Sequence, residues 1–174
     1  MDNENNKGEL NGFDGFYITG SNFDFDNPSE YSCEGITEFP PHKMFLQCKE
    51  ERCINRLIPR TDFVIYNTKE FVQKKKYIYE SDYQQFKCCF PSWDNTPRKA
   101  FSRGFSFLLT DADFKSWLLG IIDWTKNNNT TDKQYVYINA WNEWAEGAIL
   151  EPTIKYGYKY LDIVKQCIEE SRML

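Results

Sequence analysis

Apolar positions recur along this chain with two different spacings, and the spacing sorts the segments into helices and strands. After Thr110, residues Phe114, Trp117, Leu118, Ile121 and Ile122 fall at i, i+3, i+4, i+7 and i+8, which predicts one apolar stripe on an amphipathic helix. Thr110 is placed to cap it, and Asp111 and Asp113 sit in its first turn, where the helix dipole favours negative charge. A last helix is expected from about Gly157, with Leu161, Val164 and Ile168 facing inward. Continuous apolar runs predict strands instead. Tyr135–Ile138 reads as a strand buried on both faces, Asp62–Tyr66 as another, and Phe86–Trp93 as a strand running into a loop. Asn67 followed by Glu70 resembles a capping box, opening a helix that carries Phe71, Val72, Ile78 and Tyr79 inward. Near the start, GFDGFYITG from Gly12 predicts a strand, and Ile36–Pro40 is a short apolar segment stopped by Pro40 and Pro41.

The succession strand, loop, helix therefore repeats at least three times, which argues an α/β fold with parallel strands covered by helices. Residues 1–11 have no periodicity and read as a loose start; residues 12–174 read as one domain without linkers. Between the elements, SNFDFDNPSEYSCEG has the Ser, Asn, Asp and Pro content of an irregular insertion, and DNTPRKAFSRG reads as a long loop. Lys43–Pro59 carries no clear period and is consistent with helix or loop.

Composition narrows the function classes. A formal charge of −5 gives no electrostatic footprint for nucleic acid or an anionic membrane, and the one basic run, Lys74–Lys76, reads as a solvated helix face. No apolar run approaches the roughly 18–20 residues of a membrane span, and Met1–Asn11 is too polar for a signal peptide, so a soluble, cytoplasmic protein is expected. The six cysteines form no CxxC pair, and the single histidine, His42, is near none of them. Reduced thiols and no structural metal follow. Asn128 and Asn129 each begin an N-x-T sequon that a polar loop explains equally well.

Candidate chemistry gathers at the C-terminal end of the Tyr135–Ile138 strand. Glu143 and Glu146 lie three residues apart between Trp141 and Trp144, with Asn142 beside them. Glycosidic bonds are made or broken by one carboxyl that donates a proton and one that stays ionised, and repulsion plus burial beneath the indoles would separate two such groups. Solvated loop acids are the plainer alternative. Trp93, Asp94 and Arg98 form a second constellation after a strand, either as ligand groups or with Asp94 and Arg98 paired to brace the loop. His42 either bonds a hydroxyl or fixes its own loop. The Asp-x-Asp patterns at Asp24/Asp26 and Asp111/Asp113 are weak metal candidates, and no Gly-rich phosphate loop is present, so no cofactor is expected.

The blocks INAWNEWAEGAILEP, YGYKYL, FPSWDNTPR, EFPPH and YNTKEF resemble the C-terminal half of the WbsX-type proteins. These are described as glycosyltransferases of O-antigen and surface-polysaccharide gene clusters, and are similar to the family 99 glycoside hydrolases, which act as endo-α-mannosidases and endo-α-mannanases. The resemblance runs from about Gly12 to Leu161. It implies the C-terminal half of a (β/α)8 barrel, a chain short of the roughly 200–250 residues such a barrel takes. By resemblance, Glu143 is the base that activates a neighbouring sugar hydroxyl and Glu146 the proton donor at the glycosidic oxygen, with Asp94, Arg98 and His42 as pocket residues. Trp141, Asn142, Trp144 and Trp93 are further candidate substrate contacts, because indole faces suit the C–H patches of a sugar and these residues flank the two constellations. Glycosyl transfer in polysaccharide biosynthesis, retaining endo-glycosidase action, and an inactive fragment that only binds glycans remain as alternatives. The partners implied are a glycan and, because half a barrel leaves strand edges open, a complementary N-terminal half or a second copy.

Overall fold

The computed structural model describes residue 12 and residues 15–21, 27–54, 62–99 and 104–173. The loose start expected at residues 1–11, the Asp24/Asp26 pair, and residues 55–59 and 100–103 of the expected loops lie outside the described residues.

Four short strands make the main sheet: β1 (Thr19–Ser21), β2 (Gly35–Thr37), β5 (Gln84–Cys89) and β8 (Val136–Ile138), side by side in chain order. All three pairings are parallel. That is the arrangement of four successive strands of a (β/α)8 barrel, so the expected partial barrel is the fold observed. Two helices cover its outer face. α2 (Asp111–Asn128) starts on a full capping box, in which Thr110 accepts from the Asp113 N–H and Asp113 accepts from the Thr110 N–H. Its stripe is buried as the spacing predicts, Phe114, Trp117, Leu118 and Ile121 fully and Ile122 in part. α3 (Lys159–Met173) packs on α2, buries Ile163 and Cys167, and ties back through Lys115–Glu170 at 2.6 Å and Lys159–Asp111 at 2.8 Å. Ile168, expected inward, is exposed, because the inward stripe of α3 runs through Ile163 and Cys167.

The excursions leaving β2 and β5 build a second sheet that the sequence does not announce. β3 (Lys49–Ile54), β4 (Asp62–Asn67), β7 (Gly104–Leu108) and β6 (Trp93–Asp94) lie in that order, with β4 and β7 parallel and the outer pairs antiparallel. The DFVIY strand thus belongs here and not to the barrel sheet. The helix expected after Asn67 is only α1 (Lys69–Gln73). Thr68, not Asn67, is its N-cap, and Asn67 Oδ1 instead accepts from the Lys69 N–H at 3.0 Å. Phe71 and Val72 are buried on it, but Ile78 and Tyr79 lie beyond its end, where Lys75 takes a positive φ of 49° that halts the helix. Lys74 and Lys76 both pair with Glu70 at the surface.

The core sits between α2, the end of β5 and this second sheet. Trp117 contacts Phe71 and Phe90 edge-on with ring centroids 5.3 and 5.1 Å apart, and Phe90 meets Phe107 at 5.7 Å. Alternation along β5 sends Gln85, Lys87 and Cys89 toward the helices and Phe86 toward the other, inner face. There Phe86 meets Tyr17, Tyr135 and Tyr137. This inner face departs from expectation: Tyr135 and Tyr137, read as buried on both sides, are 58% and 44% exposed. Among the described residues nothing packs across this face to cover them.

Candidate active site

Three loops leave the C-terminal ends of β2, β5 and β8, and backbone and amide bonds fasten them together. Asn139, the residue after β8, gives its N–H to Cys89 O at 2.8 Å and its side-chain amide to Pro40 O, also at 2.8 Å. Ser92 Oγ donates to Gly147 O. The EFPPH, FPSWDNTPR and NAWNEWAEG segments, far apart in sequence, are thereby joined at one end of the sheet. That is the end at which parallel α/β sheets present ligands.

The WNEWAEG segment folds as a small hairpin. β9 (Asn142–Glu143) pairs antiparallel with β10 (Ala148–Ile149), and a 3₁₀ turn (Trp144–Glu146) connects them. The turn closes on Gly147 at φ 61°, a left-handed conformation that favours glycine. Gly147 lies against Asp94, and a Cβ there would sit in ordinary contact with the Asp94 backbone nitrogen at 3.4 Å, so it is the positive φ and not the space that calls for glycine. Leu150 and Glu151 donate to Trp141 O, each at 2.9 Å, and Asn142 Nδ2 donates to Glu151 Oε2 at 2.9 Å, which clasps the base of the hairpin.

This geometry sets the two glutamates in different surroundings. Glu143 is exposed on the outgoing arm. Glu146, on the turn, is largely covered, its side chain 13% exposed, and it forms an ion pair with Arg98 Nη2. The separation comes from position on the hairpin. It does not come from burial beneath the indoles, since Trp141 and Trp144 are 55% and 62% exposed.

Arg98 reaches Glu146 from a 3₁₀ turn (Thr96–Arg98). The alternative in which Asp94 braces Arg98 is not what forms. Asp94 Oδ1 accepts from Thr96 N–H at 2.9 Å and Thr96 Oγ1 at 2.7 Å, an Asx turn that frees the guanidinium to point across to the hairpin. Asn95 is buried and accepts from Phe105 N–H at 2.8 Å, which pins the loop to β7. Trp93 is buried against Phe90, beneath this loop. The structure thus brings Glu146, Arg98 and the Asp94 loop together, with Glu143, Trp141 and Trp144 exposed on the same hairpin.

His42 lies apart from that hairpin, on the wall of a cleft of about 920 Å³ beside the end of β2. Its Nδ1 faces Phe39 O at 3.1 Å and its ring tilts on Phe39, so it fixes its own loop. In the same wall Glu38 carries an interaction that sequence reading missed. Its carboxylate pairs with the fully buried Lys87 at 2.8 Å, and accepts from Cys88 N–H at 3.2 Å and from the Tyr79 hydroxyl. Lys87 also donates to Tyr77 O and lies over the rings of Tyr79 and Trp124 at 4.0 and 4.6 Å. Burial raises the Glu38 pKa and lowers that of Lys87, and each partner's charge opposes the shift in the other. The available signal was a lysine inside the apolar run FKCCF, which a buried strand tolerates only with a partner.

Among the described residues no cluster of His, Cys, Asp or Glu is arranged to hold a metal ion. Asp113 is occupied by its capping box and Asp111 by Lys159. No described helix is long and apolar enough to cross a membrane.

Comparison with known proteins agrees with this architecture. A solved glycoside hydrolase-like protein superposes with a TM-score of 0.57 at 14% identity, over 94% of this chain and 47% of its own, so the two share a fold. Among curated proteins, the uncharacterized protein WxcX of Xanthomonas campestris pv. campestris, from strains B100 and ATCC 33913, is 29% identical over 153 residues. That match takes in 87% of this chain, which spans about a fifth (21%) of the length of those relatives. The family model for glycosyltransferase WbsX matches residues 2–164, nearly the whole sequence, and the chain therefore belongs to the WbsX glycosyltransferase family.

Proposed function

We propose that this chain carries the acid/base carboxylates of a protein that makes or breaks glycosidic bonds, with Glu143 and Glu146 as the pair. The observation that carries the proposal is their placement. Two carboxylates share one hairpin at the ligand end of a parallel sheet, one open to solvent and one covered and held by Arg98. Such asymmetry gives two roles to one residue type. Glu143, the accessible group, acts as the base on a sugar hydroxyl. Glu146 serves the glycosidic oxygen, and a substrate that enters between it and Arg98 separates the ion pair, so that the carboxyl can carry the proton it delivers. Trp141 and Trp144 offer exposed ring faces to the C–H patches of a sugar.

Family membership favours glycosyl transfer in surface-polysaccharide synthesis. Endo-glycosidase action is the second reading, favoured by the carboxylate pair itself. Incubating the protein with an oligosaccharide, with and without a nucleotide-sugar donor, separates them: release of new reducing ends in the absence of donor overturns the transferase reading. In either case Glu146→Gln is expected to lower turnover by about 10²–10⁴-fold while glycan affinity is retained. Unchanged turnover in that variant would remove Glu146 from the mechanism.

A further inference from the structure

The cleft of about 920 Å³ beside the end of β2 opens on the helix side of the barrel sheet, and none of its described lining residues belongs to the Glu143–Glu146 hairpin. Its origin is the route of the chain. The connection from β2 to β5 leaves the sheet to build β3 and β4, and its helix α1 has five residues, where an ordinary helix has about 11–12. The layer over β2 is left thin, with Phe71 of α1 and Trp117 of α2 as buried lining of the gap.

The lining restricts what can bind. Lys87 neutralises Glu38 from behind, and the other charges balance, Glu80 and Asp82 against Lys43 and Lys76. A phosphate or a polycation would meet no opposite field. Phe39, Phe45 and Tyr79 line the cleft as exposed rings. Phe45 is held out by its own turn, since Met44 of the 3₁₀ turn Met44–Leu46 is the residue that enters the core. Hydrogen-bonding groups stand among the rings. A carboxylate offers about four acceptor sites, and Glu38 gives three, to Lys87, the Cys88 N–H and the Tyr79 hydroxyl. One is left. His42 Nδ1 can only donate to Phe39 O, which leaves Nε2 of the neutral ring as an acceptor. Lys76, bonded to Gln47 O at 3.1 Å, adds a donor. An alkyl chain laid here would strip water from these groups and replace none of its bonds.

We infer that this cleft binds a neutral carbohydrate, whose C–H faces lie on Phe39, Phe45 and Tyr79 and whose hydroxyls donate to Glu38 and His42 Nε2. Its volume lies within the roughly 300–1,000 Å³ of small-molecule sites. The ligand class comes from the lining and holds whichever reaction the hairpin performs. Pro40 also lines the cleft, and Asn139 fastens Pro40 to the end of β8, so a glycan held here is one loop away from the hairpin.

The test records amide NMR spectra of the full chain with a pool of neutral hexose disaccharides and trisaccharides at millimolar concentration, and in parallel with uridine diphosphate and with decanoate. The sugars are expected to shift amides of residues 37–47 and 76–83. Phe39→Ala/Phe45→Ala removes two exposed rings, so circular dichroism should be unchanged while sugar affinity read at these amides falls about tenfold or more. Trp141→Ala/Trp144→Ala should leave that affinity as in the parent, which separates the cleft from the hairpin. Sugar shifts confined to residues 139–147, or no shift with any sugar of the pool, overturn the inference and leave the roles of Glu143 and Glu146 untouched. Cleft amides that respond to uridine diphosphate or decanoate but not to sugars overturn it in favour of an anionic or a lipid ligand. If the double variant loses structure, Phe45→Ala alone decides.

Discussion

Replacing Lys87 with methionine isolates the buried charge pair beneath the β2–β5 connection. The Lys87–Glu38 contact at 2.8 Å is worth about 6 kcal/mol of attraction at an effective dielectric of about 20. Lys87 is fully buried, so most of that attraction offsets the cost of taking both charges out of water. Lys87→Met keeps the aliphatic stem against Tyr79 and Trp124, and leaves Glu38 with only the Cys88 N–H and the Tyr79 hydroxyl. Stranding a buried carboxylate costs about 3–5 kcal/mol. With a urea dependence of about 2 kcal/mol per molar, the unfolding midpoint should fall by about 2 M at pH 8. The loss should depend on pH with a definite sign. Burial already holds the Glu38 pKa above its ordinary value, and without Lys87 it rises further. A raised folded-state pKa contributes stability that is present below the ordinary carboxylate value and is lost as pH rises through the folded value. The deficit is therefore smallest at pH 4–5 and largest at pH 8. The double variant Lys87→Met/Glu38→Gln should return to within about 1 kcal/mol of the parent. Urea titrations followed by circular dichroism at both pH values check this. A loss under about 1 kcal/mol, or an equal loss at both, refutes the reasoning.

Other outcomes follow from the site loops and the thiols. Gly147→Ala forces a Cβ-bearing residue into the left-handed region, and should cost about 1–2 kcal/mol in thermal unfolding while lowering turnover through a turn that relaxes and displaces Glu146. Asn139→Ala removes the donor to Pro40 O and should cost about 1–2 kcal/mol, with the β2 loop becoming more open to proteolysis. Burial pushes the Cys88 thiol up to about 12 and Cys48 up to about 11, and raises Cys89 and Cys167 also. Of the five thiols described, Cys33 should therefore react first with a disulfide reagent at pH 8, and Cys88 and Cys89 only on unfolding.

The sequence was legible where one element carries its own signal. α2 shows this best, with its stripe from Phe114 to Ile121 and the Thr110–Asp113 cap both local in sequence. β3 and β7 were missed for the opposite reason. KEERCI is mostly charged and GFSFL is short, and each becomes a strand only by pairing with β4. The same limit applies at the site. Glu143, Glu146 and the tryptophans stand within six residues of one another, so their neighbourhood could be read directly. The Arg98–Glu146 contact could not, because it depends on Asp94 turning to Thr96 and on two loops meeting over Gly147. The exposure of Tyr137 was equally hidden, since a run of β-formers does not record what lies across the lumen.

The pairing of β4 with β7 ties together two excursions that leave different barrel strands. Residues Phe63–Asn67 of one lie in parallel register with Gly104–Leu108 of the other, and β7 in turn carries Trp93 and Asp94 through β6. Loops on a barrel rim ordinarily change length and sequence one at a time. Here a residue gained or lost between β2 and β5 would slide β4 against β7 and so move the platform from which Arg98 reaches Glu146. The two loops are therefore mechanically one unit, and a graft that transplants either without the other would leave the carboxylates of the β8 hairpin in place but lose the guanidinium's aim toward Glu146.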